Sequence, residues 1–189
     1  MADTNKIQYG LKNVYYSVMT NETTWEAPKA WKGAKSLSLS PEGDTSVYYA
    51  DDMAYFSQDS NNGYTGDLEM TYLSDDVLKD IYGYVETEDG MLVEDANAKP
   101  KTIALLFEFN GDVNAVRNIL YRVVLGRPET EAKTREDSIE PDTTKIGVTV
   151  LSVEDGENQW VKAKCPKGSS GYEAFFTTAP KKPKKKVAM

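Results

Sequence analysis

The sequence predicts a mainly β chain, a sandwich or barrel of about eight to ten strands with one short helix laid against it. Three observations predict it. Apolar and polar residues alternate with period two along segment after segment, the pattern of a strand with one face on a core. Turn clusters such as Pro41-Glu42-Gly43-Asp44, Asn61-Asn62-Gly63 and Asp89-Gly90 separate these segments. A single stretch, 74–82, carries both helical start and stop signals.

The elements follow in order. Ile7, Tyr9 and Leu11 alternate, and after a phase change Val14, Tyr16 and Val18 do the same. Ser36 to Ser40 is a short alternating strand, stopped by the cluster at Pro41. Val47-Tyr48-Tyr49 and Met53-Ala54-Tyr55-Phe56 are aromatic-rich strands on either side of Asp51-Asp52. From Tyr64 to Tyr72, the residues Tyr64, Leu68, Met70 and Tyr72 face one way, and Thr65, Asp67, Glu69 and Thr71 the other. That strand has one apolar and one acidic face. Ile103, Leu105, Phe107 and Phe109 alternate more weakly with Ala104, Leu106 and Glu108. Late strands are expected at 160–165 and 172–177.

The helix begins at Ser74, placed to cap the free amides, with Asp75 and Asp76 in the positive first turn. Leu73 and Leu78 fit a hydrophobic staple. Val77, Leu78 and Ile81 form the expected buried stripe, and Gly83 ends it. Beyond it, Tyr84 to Val93 reads as a hairpin turning at Asp89-Gly90.

Two strong strands at 118–127 and 145–151 enclose a charged, Pro-bounded excursion. On the first, Ile119, Tyr121, Val123 and Leu125 alternate with Leu120, Arg122, Val124 and Gly126. The excursion from Pro128 to Asp142 far exceeds the roughly 2–5 residues of an ordinary hairpin loop. Surface contact with a partner is the expected reason for such an extension.

Composition narrows the function. With 189 residues, 40% hydrophobic and 28% charged, the chain suits one domain, 1–178, followed by a disordered Lys-rich tail, 179–189. No apolar run reaches the about 20 residues that span a bilayer, and Met1 to Lys6 lacks a signal peptide's apolar core. Synthesis in a cytoplasm is expected. Histidine is absent and Cys165 is the one cysteine, which removes disulfides, cysteine metal clusters and every histidine-based nucleophile. An enzyme would have to work with carboxylates and tyrosines. The net charge is −8; the five tail lysines contribute +5 and leave −13 on the rest, which repels nucleic acid phosphates.

Candidate sites are few. Asp51-Asp52 with Asp44 or Asp67 lacks calcium-loop spacing and reads as a polar kink. The excursion's Glu129, Glu131, Glu136, Asp137 and Glu140 read as a solvated or interface loop rather than a catalytic pair. Trp25, Trp31 and Trp160 suit core or subunit interface better than a ligand groove. Lys181, Lys182, Lys184, Lys185 and Lys186 have the composition of a nuclear import signal, and equally of a solubilising tail or a weak contact for an acidic neighbour.

Several stretches carry a family likeness. They are Tyr9-Gly10-Leu11-Lys12-Asn13-Val14-Tyr15-Tyr16, Gly33 to Gly43, Tyr49 to Phe56 followed by Asn62 to Leu68, and Arg127-Pro128 through Pro141. In order and spacing the chain resembles the major tail proteins, or tail-tube proteins, of long-tailed, non-contractile (siphovirus-type) phages of Gram-positive bacteria.

The resemblance implies a tail-tube β-sandwich with a flanking helix at about 74–82 and a long charged hairpin at about 127–145. It implies self-assembly into hexameric rings that stack around a tape-measure protein and meet terminator and distal tail proteins. Genomic DNA would pass through the lumen without specific binding. Location in the virion, no membrane, no cofactor and no enzymatic activity go with it. On this reading Asp67 and Glu69 face the lumen, and Glu129, Glu131, Lys133, Arg135, Glu136 and Asp137 form an arm docking on a neighbouring subunit. The lysine-rich tail departs from the family pattern. The alternative from a different class is a monomeric β-sandwich binding module, a carbohydrate-binding adhesin.

Overall fold

Alternation in the sequence becomes an antiparallel ladder almost everywhere. The computed structural model describes residues 10–50, 52–110, 114–130 and 142–184. Among them the chain is mainly β with one short helix. The strands are β1 (Leu11–Asn21), β2 (Thr24–Trp25), β3 (Lys29–Ala30), β4 (Ala34–Glu42), β5 (Thr45–Ala50), β6 (Met53–Asp59) and β7 (Gly63–Met70). The helix α1 (Asp75–Tyr82) follows, then β8 (Val85–Glu86), β9 (Leu92–Val93), β10 (Ile103–Phe109), β11 (Arg117–Leu125) and β12 (Thr144–Leu151). Last come β13 (Val153–Asp155), β14 (Asn158–Trp160) and β15 (Lys162–Cys165).

The main sheet runs β2-β1-β10-β11-β12-β7-β4, with β3 on β1 and β15 on β11. Its ends approach each other, β4 lying near β1, so the sheet curls around its apolar interior. The Trp31 amide donates to the Val14 carbonyl (2.8 Å) and the Thr71 amide to the Gly33 carbonyl (2.7 Å), fastening the β3–β4 connection to both sides.

Inside the curl, Tyr16, Leu68, Met70, Ile103, Val123 and Ile146 pack with Val77 and Ile81 of α1. Fully burying each such aliphatic side chain contributes about 1.5–3 kcal/mol. A second core lies on the outer face of β10 and β11, where Leu106, Ile119 and Tyr121 meet Trp25 and Val153. Two covered faces explain why Ile103 to Phe107 is buried without interruption and why Glu108 is buried too. The half-solvated face expected for that strand is absent.

Bulges set the strand phases. Against β10, the register breaks between Lys12 and Tyr15, around Asn13 with φ 50°, which is the phase change seen in the sequence. A second break separates the pairs Ile103–Val123 and Leu105–Leu120, adding one residue to β11. In consequence Leu120, Val123 and Leu125 face the main core, while Ile119 and Tyr121 face the second. The single alternating face expected for β11 is therefore split. Near the bulge the strand also exchanges partners, from β15 below it to β12 above it.

The helix keeps its expected bounds within a residue, yet its cap and its buried stripe differ from expectation. Ser74 has extended backbone but makes no side-chain cap hydrogen bond. The buried stripe is Val77, Ile81 and Tyr82, with Leu73 and Leu78 only partly covered at its margin. Gly83 closes α1 at φ 72°, and its amide donates to the Leu78 carbonyl. Asp80 accepts the Tyr16 hydroxyl at 2.8 Å and an ion pair from Lys29, tying α1 to β1 and β3. Burial pushes the Asp80 carboxyl up, but Lys29 and Tyr16 outweigh it and hold it below the usual carboxylate range.

Two further expectations fail. Tyr72 lies past the end of β7 and is 63% exposed rather than on the apolar face. Residues 172–177 form successive tight turns instead of a strand, with Phe175 and Thr177 amides donating to Tyr172 and Ala174 carbonyls. Turns let the sequence neighbours Phe175 and Phe176 both pack on the second core, which strand alternation forbids. Arg117 anchors this segment, its guanidinium 3.9 Å from the Tyr172 ring centre and 4.6 Å from that of Phe176, while its Nε lies 3.5 Å from Glu108.

Candidate functional site

The β4–β7 ladder does not stop at the edge of the sheet. It runs from Ala34–Met70 to Glu42–Gly63 and continues through Asn62 to Glu42 (2.8 Å) and Ser60 to Asp44 (3.0 Å). The β5–β6 ladder then carries it from Thr45–Asp59 to Ala50–Met53. One ribbon thus spans 34–70. Its basal part rests on β12, whereas β5 and β6 pair only with each other among the described residues. The cluster 41–44, expected to end a strand, is a joint within this ribbon. Pro41 is tolerated because β4 is an edge strand. Gly43 is required because a Cβ there would sit 2.0 Å from the Ser60 carbonyl oxygen.

The distal ribbon is an arm with apolar side chains in solvent. Tyr48, Tyr49, Met53, Tyr55 and Phe56 are 57–79% exposed, and Tyr48 opposes Phe56 across the ladder. Asp52 stands at the tip with φ 60°; Asp51 lies outside the described residues. An isolated two-stranded hairpin is at best marginally stable in water, and an exposed apolar patch of this kind marks a contact surface.

At the ribbon's base lies the polar face that alternation foretold. Asp67 and Glu69 do share it, beside Ser36 and Ser38 of β4 and Lys145 and Gly147 of β12. Asp67 is exposed, and among the described residues it has no ion-pair partner. Glu69 accepts from Lys35 at 2.8 Å, from the Thr143 hydroxyl, and from Ser36 at 3.0 Å. The Lys35 ammonium, then Thr143, lower its carboxyl to about 2. With Lys35 and Lys145 alongside, the face is mixed in charge rather than uniformly acidic.

The charged hairpin is described only at its base, where Gly126 and Glu129 amides donate to Gly147 and Lys145 carbonyls at 2.8 and 3.2 Å. Glu129 is exposed; Glu131, Lys133, Arg135, Glu136 and Asp137 lie outside the described residues. Of the tail lysines, Lys182 pairs with Asp155 at 3.3 Å, and Lys181 and Lys184 are exposed. Lys185 and Lys186 lie outside the described residues. Ala179 and Pro180 rest beside Leu106 and Tyr121.

Trp25 and Trp31 are core residues and Trp160 is half-buried, so these three do not form an open groove. Among the described residues no group of three or more carboxylate or cysteine side chains is arranged to hold a metal ion, and no helix is long and apolar enough to cross a membrane. Sequence reasoning missed the arm. Its signal was present in Val47-Tyr48-Tyr49 and Tyr55-Phe56, where successive residues are apolar and no solvent face remains. Compared with known proteins, the chain matches no family model and no curated protein.

Proposed function

We propose that this chain is a self-assembling structural subunit of the tail-tube kind that its sequence resembles. Copies join into rings, hexameric in that family, and the rings stack into a tube around a tape-measure protein. Terminator and distal tail proteins close its ends. Its role is mechanical rather than catalytic, carried out in the virion after synthesis in the host cytoplasm. The single observation that carries this reading is the 34–70 ribbon: half of it is sheet edge, and half projects with aromatic side chains in water. Both halves need a partner. Among the described residues β4 pairs on one side only, with β7, so its outer edge offers backbone groups for a neighbour's strand, and joining edges removes a standing aggregation hazard. The polar face with Asp67 suits a lumen through which DNA slides without sticking. The carbohydrate-binding alternative has less support, because Trp25 and Trp31 lie in the cores.

Light scattering on the purified full chain tests the reading. Particles far larger than the 21.1 kDa subunit are expected, with or without a tape-measure partner. A monomer at every concentration contradicts it.

A further inference from the structure

The arm needs a receptor, and the same chain carries a surface that fits it. Where β15 meets the start of β7, a groove of about 210 Å³ is floored by Leu39, Tyr64, Phe109 and Leu120 and rimmed by Lys162 and Lys164. That volume is below the about 300–1,000 Å³ of small-molecule sites, and it suits an inserted side chain. Lys162 is held there with its ammonium 4.3 Å from the Tyr64 ring centre. Among the described residues β15 pairs on one side only, with β11, so its other edge offers backbone donors and acceptors to an added strand. The arm brings the complementary features: strand edges that pair with nothing else among the described residues, exposed Tyr48, Tyr55 and Phe56, and exposed acids, Asp52 at the tip with Asp44 and Asp59 behind it.

We infer that the β5–β6 arm of one copy docks in the Lys162/Lys164-rimmed groove of a second copy. This rests on the self-assembly reading and names the contact that drives it. Arm and groove are different surfaces of one chain, so the contact is heterologous and propagates into a ring or filament instead of closing a two-fold dimer. Aromatic burial supplies the affinity, and the aspartate–lysine pairs set direction and register.

The test uses two charge reversals in the full chain, Lys162→Glu with Lys164→Glu, and Asp44→Lys with Asp52→Lys. Each variant alone opposes like charges, and its assembly concentration, read by sedimentation velocity, should rise at least about tenfold. Mixed in equal amounts, the two should assemble again, because every arm then meets a groove of opposite sign. Circular dichroism establishes that each variant is folded. As a second arm, an Asp52→Cys variant treated with a short bis-maleimide should cross-link to the native Cys165 of another copy, giving covalent oligomers. Should the groove variant assemble like the wild type, or cross-links between copies map away from Cys165, the docking site is wrong while self-assembly stands. A wild-type chain that stays monomeric overturns the reading beneath it.

Discussion

Glu69 owes its acidity to groups far apart in the sequence. Its folded value of about 2 lies below the ordinary carboxylate value of about 4.3, so the anion stabilises the fold fully above that ordinary value. The contribution is lost as pH falls through about 2. Thermal melts of the wild type and of Glu69→Gln should therefore converge as the pH is lowered from about 5 towards 2, the wild type losing more. Parallel curves would remove Glu69 as a stabilising anchor. A second expectation concerns Gly66, where a Cβ would sit 1.8 Å from the Ser38 carbonyl oxygen. Gly66→Ala should cost about 1–3 kcal/mol in urea unfolding, since β4 and β7 must separate to admit it. Alternation placed Thr65, Asp67 and Glu69 on one face correctly. It gave no sign that Lys35 and Thr143 would meet Glu69, because those contacts depend on which strands become neighbours.

Strands and turns are legible where large apolar residues alternate with polar or smaller ones and turn residues bound the segment. Val14, Tyr16 and Val18, the 85–93 hairpin and the helix followed from period and punctuation. β10 and β11 depart from the expected alternation because both faces of β10 and of the first half of β11 are covered, and because the bulge in β11 changes its phase between Tyr121 and Val123. The 172–177 turns were misread as a strand because Tyr172, Phe175 and Phe176 have high strand propensity, and Arg117, which holds them, lies far away in sequence. Arg117 also donates to the Tyr172 carbonyl, so replacing it with Ala should cost about 1.5–3 kcal/mol, the worth of a hydrogen bond to a charged group, and should expose 166–184 to proteolysis first. Uniform resistance of that segment would show that the aromatic packing alone holds it. The arm behaves oppositely, as it belongs to neither core. Exchanging 46–58 for a short Gly-rich turn should leave the melting temperature within a few degrees while abolishing large particles.

For the molecule as a whole, the two-sided core explains stability, and the 34–70 ribbon is the surface on which the proposed association rests. On the proposed tail-tube reading, the face that carries exposed Asp67, with Ser38 and Gly147 beside it and Glu69, Lys35 and Lys145 next along, lines the passage for DNA. Asp67→Lys is the cleaner probe of that face, because changing Glu69 also breaks its bonds to Lys35 and Thr143. On the tail-tube reading it should leave assembly intact and slow DNA passage through the completed tail. Self-assembly itself is read most simply by negative-stain electron microscopy of the purified full chain at increasing concentration. Rings or tubes of one uniform diameter are the expected result; separate 21.1 kDa particles throughout the range would contradict it.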